Sequence, residues 1–253
     1  MNNEEKMLNI LLDLKKNFQA VALKAEFESE EITNEELLFL KDLSTKATLD
    51  LSAKISGCGS VRDLFELKKA KINTIIAPMI ETKYSLEKFV KTAKEVFSDE
   101  KLNLIINIET KEGIKNIDDI ISSADFKYIK GITLGRSDLV CSLESDDVNS
   151  AEIFDIAKNL SLKAKQNNKD FLLGGKVDDK STPFFLNIPY LTHFETRKIV
   201  FSSSALKNKN INEGILKALE FEILYLENKK EKNPLDEKRI ECLKEKIKTF
   251  AFK

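Results

Sequence analysis

Glu109 and Asp138 each follow a short apolar run, and the two runs are the fourth and fifth in a series that punctuates the chain. If those runs are neighbouring strands of an α/β barrel, whose reactive groups collect at the C-terminal strand ends, both carboxylates face one bowl. Together they offer oxygen ligands to a hard dication and leave positions for substrate and water. Spacing alone leaves another reading open, in which a strand-end carboxylate caps a helix or pairs with a cation. The same rule collects Lys24, Glu26 and Glu28 at the end of the first run, Lys54 at the end of the second and Glu81 at the end of the third. Asn107 precedes Glu109, Arg136 precedes Asp138, and Lys176 and Asp178 stand at the end of the sixth run.

The rest of the composition narrows the chemistry. A single histidine, His193, excludes two-His metal motifs and most histidine relays. Cys58, Cys141 and Cys242 are odd in number and form no CxxC pair, so they read as reduced thiols rather than a disulfide framework or thiolate zinc site. Lys plus Arg number 41 against 42 for Asp plus Glu, so no basic excess argues for a nucleic-acid partner. No apolar run approaches the ~20 residues that span a bilayer. The charged start MNNEEKMLNILLDLKKNF lacks a signal-peptide apolar core, and a cytoplasmic protein without membrane contact is expected.

The elements that must position these groups are legible as alternation. Apolar runs at 20–27, 49–55, 73–79, 102–109, 129–135, 170–176 and 197–202 lie between stretches of helical periodicity, the pattern of alternating strands and helices around a parallel sheet. The runs number seven. Either an eighth strand lies near Tyr190–Phe194, or the first strand is replaced by the N-terminal helix, which would plug the barrel. Thr33 and Glu36 have capping-box spacing, and Thr182–Pro183 and Asn233–Pro234 each place a cap residue before a proline suited to a first helical turn. After Ser204 two helices are expected, at 211–228 and 234–250. Ile240, Leu243, Ile247 and Phe250 line one face of the second, which needs cover from the barrel's outer surface or a neighbouring subunit.

The pair of segments IINIETKEGIKNIDDI (105–120) and ITLGRSDLVCSL (132–143), with APMIET (77–82), resembles the signature of the HpcH/HpaI aldolase/citrate lyase family. Order and spacing match over about 19–202. The resemblance implies one (β/α)8 TIM-type barrel domain over 1–253, with an N-terminal helix at 1–18, the barrel core at 19–202 and C-terminal helices at 203–253. It implies a metal-dependent carbon–carbon lyase or aldolase acting on a 2-oxo acid, with Mg²⁺ or Mn²⁺ held by Glu109 and Asp138. Asn107 takes the place of the family's metal-adjacent Gln. The Gly135-Arg136-Ser137 turn would present backbone N–H groups to the substrate carboxylate, with Lys176 nearby. Family members are commonly homo-oligomers.

Two departures qualify that resemblance. The family's catalytic His is absent from Lys24-Ala25-Glu26-Phe27, where Phe27 stands in its place, and Lys54 replaces an Arg. A lysine supplies charge without bidentate geometry. Lys54, Glu26 and Asn107 are therefore the candidate catalytic groups, with Glu28 and Lys176 as further proton carriers, and a carboxylated or sugar-derived substrate suits the cationic cavity. Three alternatives stand beside this reading: a citrate-lyase-like acyl-CoA thioester lyase, a Schiff-base lysine enzyme, and a non-catalytic binding protein that kept the fold. Glu195 and Arg197 either touch substrate or form an internal ion pair.

Overall fold

The computed structural model describes residues 2–98 and 100–250. The strands are β1 Ala20–Glu26, β2 Asp50–Lys54, β3 Thr74–Ala77, β4 Asn103–Ile108, β5 Ile129–Gly135, β6 Asp170–Gly174, β7 His193–Glu195 and β8 Ile199–Ser202. The helices are α1 Asn3–Phe18, α2 Asn34–Lys46, α3 Val61–Lys69, α4 Lys83–Phe97, α5 Lys111–Lys115 and α6 Ile117–Ser122. They continue as α7 Arg136–Ser142, α8 Ala151–Gln166, α9 Ser181–Leu186, α10 Ile211–Asn228 and α11 Pro234–Lys248. The strands close in sequence order into an eight-stranded barrel. Their middles are buried on both faces, by helices outside and by barrel contents inside, which is why they read as apolar runs rather than strict alternations.

The first strand is present and paired with β2 and β8, so the alternative with a missing first strand and an N-terminal plug is set aside; α1 instead packs against α10. The eighth strand is β7, whose His193–Glu195 overlaps the irregular stretch near Tyr190–Phe194. The expected run at 197–202 is β8, and it runs antiparallel to both β7 and β1. The irregularity thus sits at the end of the barrel. Thr196 closes the hairpin, its N–H donating to the Ile199 carbonyl at 2.9 Å. Phe194 pairs with Phe201 across it with rings stacked at 5.0 Å, and Phe185 packs on the outside at 5.3 Å.

Reversal of β8 decides where the last helices go. A parallel eighth strand would end at the C-terminal face of the barrel, but β8 ends at the opposite face, where the Ser202 N–H donates to the Gln19 carbonyl. From there α10 climbs alongside α1, antiparallel to it, with Lys217 paired to Asp13 at 2.5 Å and Gly214 seated against the Phe18 ring. At about 1.5 Å per residue its 18 residues span the barrel's height, and α11 is delivered onto the C-terminal mouth of its own chain. Ile240, Leu243 and Phe250 are buried there. The apolar face is therefore covered by this chain, with α11 packed on α10, while Arg239, Cys242 and Lys246 of the same helix line the mouth.

Local punctuation follows the expected chemistry at two of three sites. The Glu36 N–H donates to Thr33 Oγ1 at 3.2 Å while the Thr33 N–H donates to Glu36 Oε2 at 2.7 Å, a reciprocal capping box, and Asn233 caps α11 ahead of Pro234. Thr182 does not cap α9. That helix begins at Ser181, and the Thr182 hydroxyl bonds Asn212 instead. No helix among the described residues is long and apolar enough to cross a membrane.

Candidate active site

The C-terminal mouth holds a cavity of about 580 Å³. Period-two alternation puts Lys24 and Glu26 of β1 on one face, and the parallel register sets Glu26 beside Lys54 of β2. Asn107, Thr133 and Glu195 enter from β4, β5 and β7, and Glu109 and Asp138 follow β4 and β5. The loop after β6 supplies Gly175 and Lys176, the β7–β8 hairpin supplies Arg197, and α11 supplies Arg239, Cys242 and Lys246.

Lys54 is the electrostatic centre. Its Nζ lies 2.5 Å from Glu28 Oε2 and 3.5 Å from both Glu26 Oε1 and Glu109 Oε1. Burial alone would favour the neutral amine, but Glu109, Glu26 and Glu28 hold it more firmly protonated than an ordinary lysine. Burial likewise opposes ionisation of Glu26, and the fields of Lys24, Lys54, Arg197 and Lys198 overcome it, holding the carboxyl down at about 2. Lys24 donates to Glu195 Oε1 at 2.5 Å and is also held protonated against burial, by Glu195 and Glu26. Glu195 Oε2 has no hydrogen-bond partner among the described residues.

Glu109 is 2% exposed. It accepts from the Met79 N–H at 3.0 Å and from Asn107 Nδ2 at 3.1 Å. Burial pushes its carboxyl above the usual range; Lys54 opposes that shift and the charge of Asp138 adds to it. A Cβ at Gly135 would stand 2.3 Å from Glu109 Oε2, so the β5–α7 turn passes the carboxylate only because residue 135 has no side chain.

Most of the residues singled out by sequence converge here: Glu26, Lys54, Asn107, Glu109, Gly135, Ser137, Asp138 and Lys176 all line the cavity. Arg136 does not. Its fully buried guanidinium points into the scaffold, donating to the carbonyls of Gly174 at 3.1 Å and Gly175 at 2.9 Å and to Asn149 Oδ1 at 2.7 Å. It lies 4.8 Å from the Phe185 ring. Burial pulls its pKa down to about 10, still protonated at neutral pH. Arg136 therefore pins α7 to the β6–α9 loop, and Gly135, Ser137 and Asp138 are what that turn brings to the cavity. Gly175, at φ +87°, lies so close that a Cβ would meet the Ser137 nitrogen at 2.4 Å. Cys58 lies outside the cavity, packed against the core.

Sequence reasoning missed Thr133, Arg239, Cys242 and Lys246. Thr133 sits in an apolar strand run, where its buried hydroxyl lacks a partner, and the α11 residues carry no local signal of what their helix covers. Glu195 forms the internal ion pair of one of its two readings, with Lys24, and also lines the cavity as the other would have it.

Among the described residues no group of three or more His, Cys, Asp and Glu side chains is arranged to hold a metal ion. The charge of Asp138 nonetheless reaches Glu109 and raises its cost of ionisation, and the neighbouring Asn107 Oδ1 is buried without a hydrogen-bond partner among the described residues. An all-oxygen set of two carboxylates suits a hard dication that takes its remaining ligands from water and substrate. The donor set fits such an ion.

Over residues 35–180, more than half of the chain, the sequence matches the family described as HpcH/HpaI aldolase/citrate lyase. The structure resembles an HpcH/HpaI aldolase/citrate lyase family protein from Burkholderia cenocepacia J2315, with a TM-score of 0.61 at 11% identity, covering 85% of this chain and 90% of that one. An HpcH/HpaI aldolase from Desulfitobacterium hafniense DCB-2 gives 0.60 at 11% identity, covering 87% and 90%. The citrate synthase SbnG gives 0.58 at 18% identity, covering 75% and 81%. At these identities the likeness is one of fold. No curated protein matches the chain.

Proposed function

The chain belongs to the HpcH/HpaI aldolase/citrate lyase family, and from that premise we propose that it is a divalent-metal-dependent carbon–carbon lyase acting on a 2-oxo acid. The observation that carries this reading is the adjacency of Glu109 and Asp138 at the barrel mouth beside the unpartnered Asn107 oxygen. Those two carboxylates would hold Mg²⁺ or Mn²⁺, which when bound supplies electrostatic stabilisation of negative charge developing on a 2-oxo oxygen.

The remaining roles fall to the chain's own groups. Lys54, locked in its charged form, contributes a fixed positive field beside Glu109 and orders Glu26 and Glu28 around it. With its carboxyl at about 2, Glu26 is a weak proton acceptor at neutral pH, so it acts with Lys54 as part of that field. Proton transfer is assigned to Glu195, one oxygen of which is held by Lys24 while the other is buried and unpartnered in the cavity wall. In the cleavage direction Glu195 takes the proton of the substrate's hydroxyl as the adjacent carbon–carbon bond breaks. The bond's electron pair passes toward the 2-oxo group, an aldehyde leaves, and the proton returns to the carbon of the 2-oxo acid. The Ser137 region receives the substrate carboxylate through backbone amides.

The proposal includes a cytoplasmic homo-oligomer with a small-molecule substrate. Because α11 is covered by its own chain, a subunit contact would use another surface, and sedimentation velocity reads it directly. The chemistry is tested by NMR of pyruvate methyl-proton exchange in D₂O with Mg²⁺ or Mn²⁺. Metal-dependent exchange abolished by both Glu109→Gln and Asp138→Asn is the expected result. Exchange that survives both substitutions, or that needs no metal, sinks the reading.

A further inference from the structure

A second cavity, of about 870 Å³, lies between the loop that follows β1, the start of α2 and the α10–α11 connection, and it shares no lining residue with the barrel mouth. Two deeply buried side chains in its wall are incompletely satisfied. Glu30, 5% exposed, gives Oε2 to the Lys198 ammonium, while its Oε1 has no hydrogen-bond partner among the described residues. Tyr225, 2% exposed, has a hydroxyl equally without a partner. The other buried side-chain atoms in that condition, on Asn107, Thr133 and Glu195, belong to residues that line the barrel mouth. Folded chains rarely leave such atoms unpaired. Among the described residues they fall at two cavities alone, and one of these is the candidate active site.

The charges around the second cavity select its ligand. Five glutamates line it against three lysines. Lys229 is already shared between Asp236 at 2.9 Å and Glu36 at 3.6 Å, and Lys230 is on Glu35 at 2.6 Å. The Tyr225 hydroxyl sits in the combined field of Glu30, Glu36 and Asp236, which adds to burial in keeping it protonated, so its oxygen is a neutral acceptor among carboxylates. Burial pushes the Glu30 carboxyl above its ordinary range, with Lys198 opposing and Glu26 adding to the shift. A cationic donor answers the Glu30 and Tyr225 oxygens together, whereas an anion would face three carboxylates. Half-buried Phe39 offers apolar surface, and Glu31 and Glu231, exposed and without ion pairs among the described residues, stand at the rim.

From this arrangement we propose that the cavity is a second ligand site, one that takes an aliphatic diamine or polyamine. One ammonium donates to Glu30 Oε1 and the Tyr225 oxygen, the chain lies along Phe39, and a further ammonium meets the rim carboxylates. The proposal is independent of the lyase reading.

The test is calorimetric titration at fixed ionic strength with 1,4-diaminobutane, spermidine and the uncharged isostere 1,4-butanediol. At least one amine is expected to bind about tenfold or more tighter than the diol, and equally well in Glu109→Gln, which separates this cavity from the barrel mouth. Tyr225→Phe should weaken amine binding severalfold. Because the hydroxyl has no partner to lose, the same substitution should leave the melting temperature unchanged or raise it. Glu30→Gln should remove the preference for amine over diol; since it also strands Lys198, Tyr225→Phe decides the matter where that variant fails to fold. Amines that bind no better than the diol, that lose affinity in Glu109→Gln, or that bind Tyr225→Phe as well as the unsubstituted protein overturn the proposal, the last outcome meaning attraction to the exposed carboxylates only.

Discussion

Glu109 and Gly135 are in contact across the β4–β5 boundary, with the carboxylate oxygen occupying the space a side chain at 135 would need. The φ of Gly135 is −84°, an ordinary value, so an alanine there meets no backbone strain, only the carboxylate. Gly135→Ala is expected to displace Glu109, abolish pyruvate exchange and cost about 1–3 kcal/mol of stability through overpacking. Thermal melts and exchange assays on the variant check both; a variant with normal activity would mean that the contact is easily relieved.

Acid should weaken the fold through Glu26. Its folded carboxyl is held at about 2 against an ordinary 4.5, so its contribution, at most about 3 kcal/mol, is fully present above pH 4.5. It is lost as pH falls through 2. Unfolding free energies measured across that window should fall more steeply in the unsubstituted protein than in Glu26→Gln. Parallel pH profiles would show that Lys24 and Lys54 do not depress this group.

Arg136 is a positioning group whose loss should be felt as stability. Arg136→Met strips donors from the Gly174 and Gly175 carbonyls and Asn149, and about 3 kcal/mol of destabilisation is expected from those abandoned acceptors. Arg136→Lys should rescue little, because a point ammonium cannot reproduce the fork. Denaturant titration of both variants decides the matter, and a neutral Arg136→Met would return the side chain to consideration as a ligand.

Lys198, in the turn of the β7–β8 hairpin, is fully buried, pairs with the buried Glu30 and lies 4.0 Å from the Tyr225 ring. Removing either charge strands the other, so Lys198→Met is expected to cost about 3–5 kcal/mol, while adding Glu30→Gln should recover much of it. A double-mutant cycle that finds the two losses additive would show that the pair is not coupled.

Much of this architecture was legible in the sequence for a physical reason. A segment's period and composition report whether it is covered and on which faces, so seven runs announced seven strands, and the Thr33–Glu36 box and the Asn233–Pro234 pair announced helix starts. The spacing of Glu109 and Asp138 located the candidate centre because parallel neighbours bring successive strand ends to one rim. Period does not say which element does the covering or which way a strand runs. The three-residue β7 is too short to show any period, and its hairpin depends on pairing with β8. The Lys24–Glu195 pair joins residues 171 positions apart, and Lys54 meets Glu28 and Glu109 only once the barrel has closed. Whether Arg136 faced the cavity or the scaffold was settled by the carbonyls of a loop nearly forty residues later, and whether its own chain or a neighbour covered α11 was settled by where the reversal of β8 sends α10. Local chemistry specified the elements and the central carboxylates, and long-range closure decided their company.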